Sequence, residues 1–465
     1  MENLKVKLAA IARDEAAYLP EWIFHHLHMG FDEIEIYVNN TIDNSLQVLD
    51  KIGSNYPVKY KVADALFKRS TGDFQFRAYR EIANSAKKDG FDYILFLDID
   101  EFWTSDDLNQ SVKQIISHFN NPDVLCFNWA LHCDESLFSH CYKPSLQLRS
   151  HNHIKTLFKT SVNWRQIGAH NIISDEVRYK SADNQEYQFS IDDPHRAIIK
   201  PNEETYKSCY IIHRMFRSEV EYISLLGRGR ATASKKIKNN RFGYYIKNKD
   251  DFSIDYDEDK LRFYYLGYSK FLFENNLEVE LDTAKKYINN RYVKLIERAE
   301  STENLDELKV IYRVFNNIYL DEVISVRDKV AEKLALIEIV NSHKSYNYPL
   351  RWFFYIKVAR IMVDLGYYER SLSFFKKAEC LLESHNQETQ DVVSILSIEK
   401  ALQKNKVAEQ VQTNIYRDIA IDIYCRCNDK ASIEFINKAL IRRPHGASIQ
   451  QWHEKIHKRF SNNTD

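Results

Sequence analysis

Residues 93–102 read YILFLDIDEF, five apolar residues running straight into Asp98, Asp100 and Glu101. An apolar run without alternation is the pattern of a strand buried on both faces, which happens when helices cover both sides of a parallel sheet. The flanks agree. Phe74 to Lys88 carries apolar residues at helical spacing and stops near Gly90, Val58 to Val62 is a short strand, Ser45 to Ile52 is helical, and Glu33 to Asn39 (EIEIYVN) alternates with period two. Farther upstream, Leu4 to Ala12 is another buried strand, followed by a helix from Glu15 to Met29 that Gly30 ends. Strands alternating with helices predict an open, mostly parallel α/β sheet whose ligands gather beyond the carboxyl ends of its strands. The segment LDIDEF begins at such an end.

Downstream, residues 121–240 mix short strands (Val124 to Trp129, Ile154 to Lys159, Cys209 to His213) with loops rich in His, Asp and Asn. Eleven of the 16 histidines precede residue 240, which concentrates polar chemistry in the first half. After about residue 270 Gly and Pro become scarce and long helical patterns such as Asp306 to Ile339 take over. Two C-terminal segments look like tetratricopeptide helix pairs: Ala359, Gly366, Tyr368, Phe375 and Ala378 in one, Ala420, Ala439 and Pro444 in the other, with Ser371 and Ser432 replacing the small Ala between them. The expected organisation is an α/β domain at 1–240, a helical connection at 241–300 and an all-α, TPR-like domain at 301–465.

Composition bounds the function. With 65 Lys+Arg against 66 Asp+Glu there is no global basic field, so nucleic acid is not an expected partner. The 7 cysteines form no dense framework, which fits reduced thiols in a cytoplasmic setting. No apolar run approaches the ~18 residues of a membrane span, and the first residues do not read as a signal peptide. A soluble or peripheral protein is expected, and the basic stretch Arg442 to Arg459 is either a contact for an anionic membrane or a solvated helix face.

Three carboxylates at one strand exit repel one another unless something positive sits between them, and a divalent cation with oxygen ligands answers that need. The competing reading is capping of a turn. Other readings of the same residue types are weaker. His132, Cys133, His140 and Cys141 lack the spacing of a zinc knuckle, and Cys425 and Cys427 diverge on a helix. Phe102 stands where a haloacid-dehalogenase-type phosphatase carries Thr or Ser, and no Gly-rich phosphate loop is present.

The segments AIARDEAAYLPEWIFHHLHMGFDEIEIYVNNTIDNS and FQFRAYREIANSAKKDGFDYILFLDIDEFW, then CFNWALH, HIKTLFK, IGAHN and IIHRMFRSEVEYISLLGRG, resemble in order and spacing the GT-A glycosyltransferases, in the family-2-like group related to family 92. The resemblance spans roughly residues 5–235. It implies a GT-A, Rossmann-like nucleotide-sugar domain ahead of the helical one. It places Arg13, Asp14 and Glu15 with Asn39, Asn40 and Asp43 at the nucleoside, and Gln75 and Arg77 at the sugar diphosphate. Asp98 would touch ribose or a metal-bound water, while Asp100, with Asp98 and His213, would hold Mn²⁺ or Mg²⁺; His170 competes with His213. Asp134 and Glu135 are the first candidates for the general base, Glu101 the second, Asp175 or Glu176 the third.

Local alternatives remain open: Arg13 with Asp14 as an ion pair at a helix start, and Arg77 with Glu81 as a surface pair. The activity implied is a metal-dependent, inverting hexosyltransferase that uses a nucleotide sugar, UDP-linked first, and a surface-glycan acceptor such as lipopolysaccharide, lipooligosaccharide or capsule. The helical half would shape the acceptor site, dimerise the chain or dock a partner protein, and the enzyme would work in the cytoplasm or at the inner face of the membrane. The alternative is a non-catalytic helical-repeat adaptor with a degenerate GT-A domain.

Overall fold

The structure is a computed structural model that describes residues 4–343 and 409–461, apart from 71, 106, 107, 109, 134, 135, 190, 191, 230–236, 247–250, 423 and 426–430. The chain begins β1 (Val6–Ala12), α1 (Leu19–His28), β2 (Glu33–Val38), α2 (Ser45–Gly53), β3 (Val58–Val62), α3 (Asp64–Arg69), α4 (Phe74–Lys88), β4 (Tyr93–Phe96). Strands β3, β2, β1 and β4 lie side by side in that order, all parallel. Leu8, Ala10, Leu95 and Leu97 enter one core with Trp22 and Ile23 of α1, whereas Ala9, Ile94 and Phe96 enter a second core with Tyr79 and Ile82 of α4. Both faces are covered, so YILFL has no polar side to alternate with. Helix α1 starts later than Glu15 because Asp14 takes a left-handed turn (φ 52°) and Pro20 then fits the first helical turn, where its missing N–H is no loss.

The chain continues through β5 (Glu101–Ser105), α5 (Val112–His118), β6 (Val124–Leu131), β7 (Ser145–Lys159), β8 (Gln166–Ile167), β9 (Ile172–Ile173), β10 (Tyr179–Ser181), β11 (Glu186–Tyr187), α6 (Glu203–Tyr206), β12 (Cys209–His213), α7 (Glu219–Gly227) and β13 (Asp251–Asp255). Here the sheet becomes mixed. Strand β7 runs antiparallel to both β4 and β6, while β12 pairs parallel with β6 and antiparallel with β5. The full path is β11-β10-β6-β7-β4-β1-β2-β3, with β12, β5 and β13 joined off it. Strand β7 is longer than expected because its first half alternates buried Leu146 and Leu148 with exposed polar residues, a period-two pattern among His and Arg.

The remaining described elements are helices: α8 (Glu258–Glu274), α9 (Glu278–Ser301), α10 (Leu305–Val314), α11 (Asp321–His343), α12 (Glu409–Asp422), α13 (Ala431–Arg442) and α14 (Ala447–Ser461). The protein is therefore a mixed α/β sheet followed by a helical region, the fold class expected. The continuous helix expected from Asp306 to Ile339 breaks between α10 and α11, where Asn317 takes φ 61° and cannot continue a right-handed helix. Two compact units result, Met1–Lys238 with Tyr244–Leu295, and Asn239–Gly243 with Ile296–Asp465.

In the first unit, Tyr264, Tyr268 and Phe271 of α8 pack on Phe24 of α1 at ring distances of 5.1–5.7 Å. Gly267 permits that approach, since a Cβ there would sit 3.1 Å from the Phe24 ring. In the second unit, α12 packs on α13, and Ala420, Ser432 and Ala439 are fully buried. The first TPR-like segment, Ala359 to Ala378, lies outside the described residues, as does Cys427. Among the described residues no helix is long and apolar enough to cross a membrane, and Cys126, Cys133, Cys141, Cys209 and Cys425 are not joined in disulfides.

Candidate active site

Strands β1, β2 and β3 progress to one side of the sheet, and β4 returns to the other side of β1. That reversal is a topological switch point, the place where open α/β sheets receive their ligands. The loop after β1 holds Arg13, Asp14 and Glu15; the turn after β4 holds Asp98, Asp100 and Glu101.

The first loop is locked to the loop after β2. Asp14 accepts hydrogen bonds from the N–H groups of Ile42 (2.8 Å) and Asp43 (3.4 Å), and its own N–H donates to Thr41 Oγ1 (3.0 Å). Asp43 accepts from the N–H groups of Ala16 and Ser45, both at 2.9 Å; burial raises its carboxyl pKa, and these bonds oppose the rise. Glu15 is ion-paired to Arg228 and, at 3.6 Å, to Arg217, while Arg291 lies 3.7 Å from Asp14. Asp14, Glu15 and Asn39 are buried, whereas Arg13 is partly exposed and 4.0 Å from Asp14. Of the residues assigned to the nucleoside, Asp14 and Asp43 thus shape the loops, and Arg13 reaches the surface.

The acidic turn is organised by a residue the sequence reading did not single out. Lys155, on β7, places its ammonium 3.1 Å from Asp98 Oδ2 and 3.0 Å from Glu101 Oε2. Lys155 is 1% exposed and Glu101 is 0% exposed, whereas the Asp98 side chain is 46% exposed. Glu101 also accepts from the Asp98 N–H at 2.9 Å, so it faces inward and caps the turn. Burial pushes its carboxyl up to about 8 against the pull of Lys155. The positive group between two of the three carboxylates is a lysine, where a metal ion was expected. Sealed in this way, Glu101 does not face an acceptor.

Asp100 has a different partner. His213 Nε2 lies 3.5 Å from Asp100 Oδ2, because β12 pairs with β5 in a register that sets His213 opposite Glu101. Burial alone would raise the Asp100 carboxyl, but His213, with Arg217 and Lys238 beyond it, holds it well below the usual carboxylate range. Of the expected ligands, Asp100 and His213 converge, and Asp98 pairs with Lys155 through Oδ2. Among the described residues no three His, Cys, Asp or Glu side chains are placed to hold one metal ion. His213 Nδ1 is buried without a hydrogen-bond partner, and its Nε2 faces the carboxylate. One nitrogen and one carboxylate suit Mn²⁺ or Mg²⁺, ions whose remaining positions are commonly filled by water and phosphate oxygens.

The other candidates scatter. His170 hydrogen-bonds the Ile154 carbonyl (3.1 Å) and packs with Trp129 and His153, a ring cluster that His213 joins through Trp129 at 4.3 Å. Gln75 donates to Tyr79 Oη (3.1 Å), whose ring stacks on Phe96 just before the acidic turn. Arg77, two residues on and therefore on another face of α4, pairs with Asp73 at 2.7 Å, while Glu81 pairs with Lys61. Asp175 sits in exposed ion pairs with Arg165 and Arg196, and the Glu176 N–H bonds Ser174. Asp134 and Glu135 lie outside the described residues. His132, Cys133 and His140 bond Gln147, Tyr244 and Glu21 separately, which leaves no zinc cluster among them.

Lys155 did leave a signal in the sequence. In HIKTLFK it is the one charge inside a run buried from Ile154 to Phe158. Arg217 and Arg228 lie in the segment IIHRMFRSEVEYISLLGRG, and Arg217 stacks its guanidinium 3.3 Å over the Tyr18 ring.

Fold and site together define a mixed α/β protein with clustered acidic and basic side chains at the sheet's switch point. No protein-family model matches the chain, and no curated protein matches it. Among solved structures, it is similar to S. aureus TarS residues 1–349, at 11% identity and a TM-score of 0.23, over 84% of this chain and 95% of that one. The same TarS segment in complex with UDP aligns at 10% identity and a TM-score of 0.23 over the same shares. A longer TarS chain aligns at 11% and 0.21, over 84% of this chain and 57% of that one. Scores this low carry no conclusion about the activity of this chain.

Proposed function

We propose that this protein is a glycosyltransferase that moves a sugar from a nucleotide-sugar donor to a glycan acceptor. The observation that carries the reading is the convergence of Asp100 and His213 at the switch point, with Arg217 close enough to act on the Asp100 charge. A sugar nucleotide departs as a diphosphate, and the site that releases it must stabilise concentrated negative charge while the anomeric carbon becomes oxocarbenium-like. Arg217 and Arg228 supply guanidinium charge beside the loop after β1, and Glu15 pairs with both. The Asp98 side chain is half-exposed, and in this reading its carboxylate would accept hydrogen bonds from the nucleotide's hydroxyls. A Mn²⁺ or Mg²⁺ ion held by Asp100 and His213 would offset the charge of the leaving diphosphate.

For an inverting reaction a carboxylate must take the acceptor hydroxyl's proton. With Glu101 sealed, Asp134 and Glu135 after β6 are the residues assigned to it. A UDP-hexose donor, a surface-glycan acceptor and a place at the cytoplasmic face of a membrane belong to the same proposal and rest on the sequence resemblance alone. The test is nucleotide release from a panel of sugar nucleotides with Mn²⁺ or with EDTA. The expected result is turnover of a UDP-hexose that EDTA abolishes and Asp100→Ala lowers by about 100-fold or more. Turnover indifferent to Asp100→Ala, or none with any sugar nucleotide, overturns the reading.

A further inference from the structure

Within the four residues Asp98 to Glu101, two carboxylates face the ammonium of Lys155 and one faces a histidine. The Lys155 ammonium touches Asp98 and Glu101 at 3.1 and 3.0 Å and is shut off from water. Its strand is fixed on both sides, since β7 pairs with β4 through Leu157 and Leu95 and with β6 through Lys155 and Phe127. The pairing fixes where the Lys155 side chain enters the turn, and its two ion pairs hold the ammonium there.

A divalent ion approaching Asp98 would have to displace it from Oδ2 against the repulsion of like charges in a poorly screened site. Asp100 pairs instead with an imidazole able to ligate a metal, and the positive charges of Arg217 and Lys238 act on it from beyond that ring. We propose that Lys155 is a built-in counter-ion that takes the place of a metal at Asp98 and Glu101 and limits the turn to a single divalent cation at Asp100 and His213. Lys155 is then a positioning residue. It holds Asp98 and the turn in place without touching substrate. The chemical role of that cation rests on the glycosyltransferase reading, but the division of the turn does not.

Mn²⁺ binding to the full chain, followed by electron paramagnetic resonance, tests this without any turnover. Lys155→Met alone would strand Glu101 uncompensated in the core, so the informative variant is the double change Lys155→Met with Glu101→Gln, which removes both buried charges together. The unaltered chain is expected to bind one Mn²⁺, Asp98→Asn to bind it within about twofold, and Asp100→Asn to bind it at least tenfold more weakly. The double variant is expected to gain a second Mn²⁺, or to bind at least tenfold more tightly, and to lose that gain when Asp98→Asn is added.

The proposal is overturned if Asp98→Asn weakens Mn²⁺ binding tenfold while Lys155 is present, or if the double variant binds as the unaltered chain does. Should the unaltered chain bind no Mn²⁺ while the double variant binds it through Asp98, Lys155 keeps its role and the metal-dependent part of the functional reading fails instead. Calorimetric titration with UDP tests the nucleotide part separately.

Discussion

The parallel wing, β3-β2-β1-β4, and the mixed wing built on β7, β6, β12 and β5 share one sheet and bury different chemistry. Along the parallel strands the interior is Val6, Leu8, Ala10, Ile34, Ile36, Ile94 and Leu95, with Lys7, paired to Glu33 and Glu35 across the β1–β2 ladder, as the buried charge. Along the mixed strands Glu101, Thr104, Ser105, Asn128, Lys155, Thr156 and His213 are all at most 6% exposed. Apolar burial has no direction, so the first wing needs only shape. A buried polar group needs a partner at a set distance and angle, and here several partners come from other segments: Asp98 for Lys155, Asp100 for His213, the Ile199 carbonyl for Asn128. The mixed wing is the one that can hold charged side chains in fixed positions beside the switch point.

The largest expected effect tests the seam between the wings. His25 and His26 of α1 are buried, and both bond the backbone of Trp103 on β5. His25 Nε2 reaches the carbonyl at 2.6 Å, and His26 Nε2 accepts the N–H at 3.2 Å while its Nδ1 donates to the Trp22 carbonyl at 2.8 Å. Burial above all lowers both, His26 to about 3, so both imidazoles are neutral in the folded chain. Below the ordinary histidine value of about 6.5 the unfolded chain takes up protons that the folded chain refuses, so stability falls with pH. From pH 7 to pH 5 the two histidines should together cost about 4 kcal/mol, at ~1.4 kcal/mol per proton per pH unit. Urea unfolding at pH 7, 6 and 5 measures the slope, and His26→Gln should remove about one proton from it. A stability curve flat over that range would break the description of the seam.

The next effect sets the wings against each other. Leu95→Ala empties a site in the parallel wing and should cost about 2–5 kcal/mol, through lost burial plus a residual cavity. Asn128→Ala removes the side chain that donates to the Ile199 carbonyl (2.7 Å) and the His151 carbonyl (3.3 Å), and should cost about 1–3 kcal/mol by leaving buried acceptors unmet. Denaturant midpoints rank them. If UDP binding to the folded fraction weakens in Asn128→Ala and stays unchanged in Leu95→Ala, the polar wing carries the site; the reverse result would assign the site to the other half of the sheet.

Much of the parallel wing was legible because its signals are local. Strand β3 and helix α4 fall where periodicity put them, and β12 in the mixed wing does too. The acidic turn was legible as a place, since three carboxylates after a buried strand are conspicuous in any reading. Its internal order was not. Lys155 is 57 residues from Asp98, and their contact follows only from the antiparallel pairing of β7 with β4, a register that short-range patterns do not contain. The inward turn of Glu101 likewise depends on a lysine that the strand pattern offers as one more buried position. His213 was legible only as a candidate, because β12 meets β5 across more than a hundred residues of sequence.

The smallest expected effect separates Arg77 from Gln75, two residues that the sequence resemblance placed together at the diphosphate. Arg77 is 52% exposed, and its bond to Asp73 spans one helical turn, a class of surface pair worth about 0.3–0.5 kcal/mol. Gln75 shares its face of α4 with Tyr79, whose hydroxyl it holds and whose ring lies on Phe96, at the root of the acidic turn. Arg77→Ala should therefore change the unfolding free energy by no more than about 0.5 kcal/mol and leave UDP affinity unaltered, because the guanidinium faces solvent on the far side of the helix. Gln75→Ala should be as mild in stability yet weaken UDP binding, since freeing Tyr79 loosens the strand end from which Asp98 projects. Calorimetric titration of both variants distinguishes the faces. A tenfold loss of UDP affinity in Arg77→Ala, with Gln75→Ala unchanged, would mean that α4 presents its other side to the ligand and that the acidic turn lies outside the nucleotide's reach.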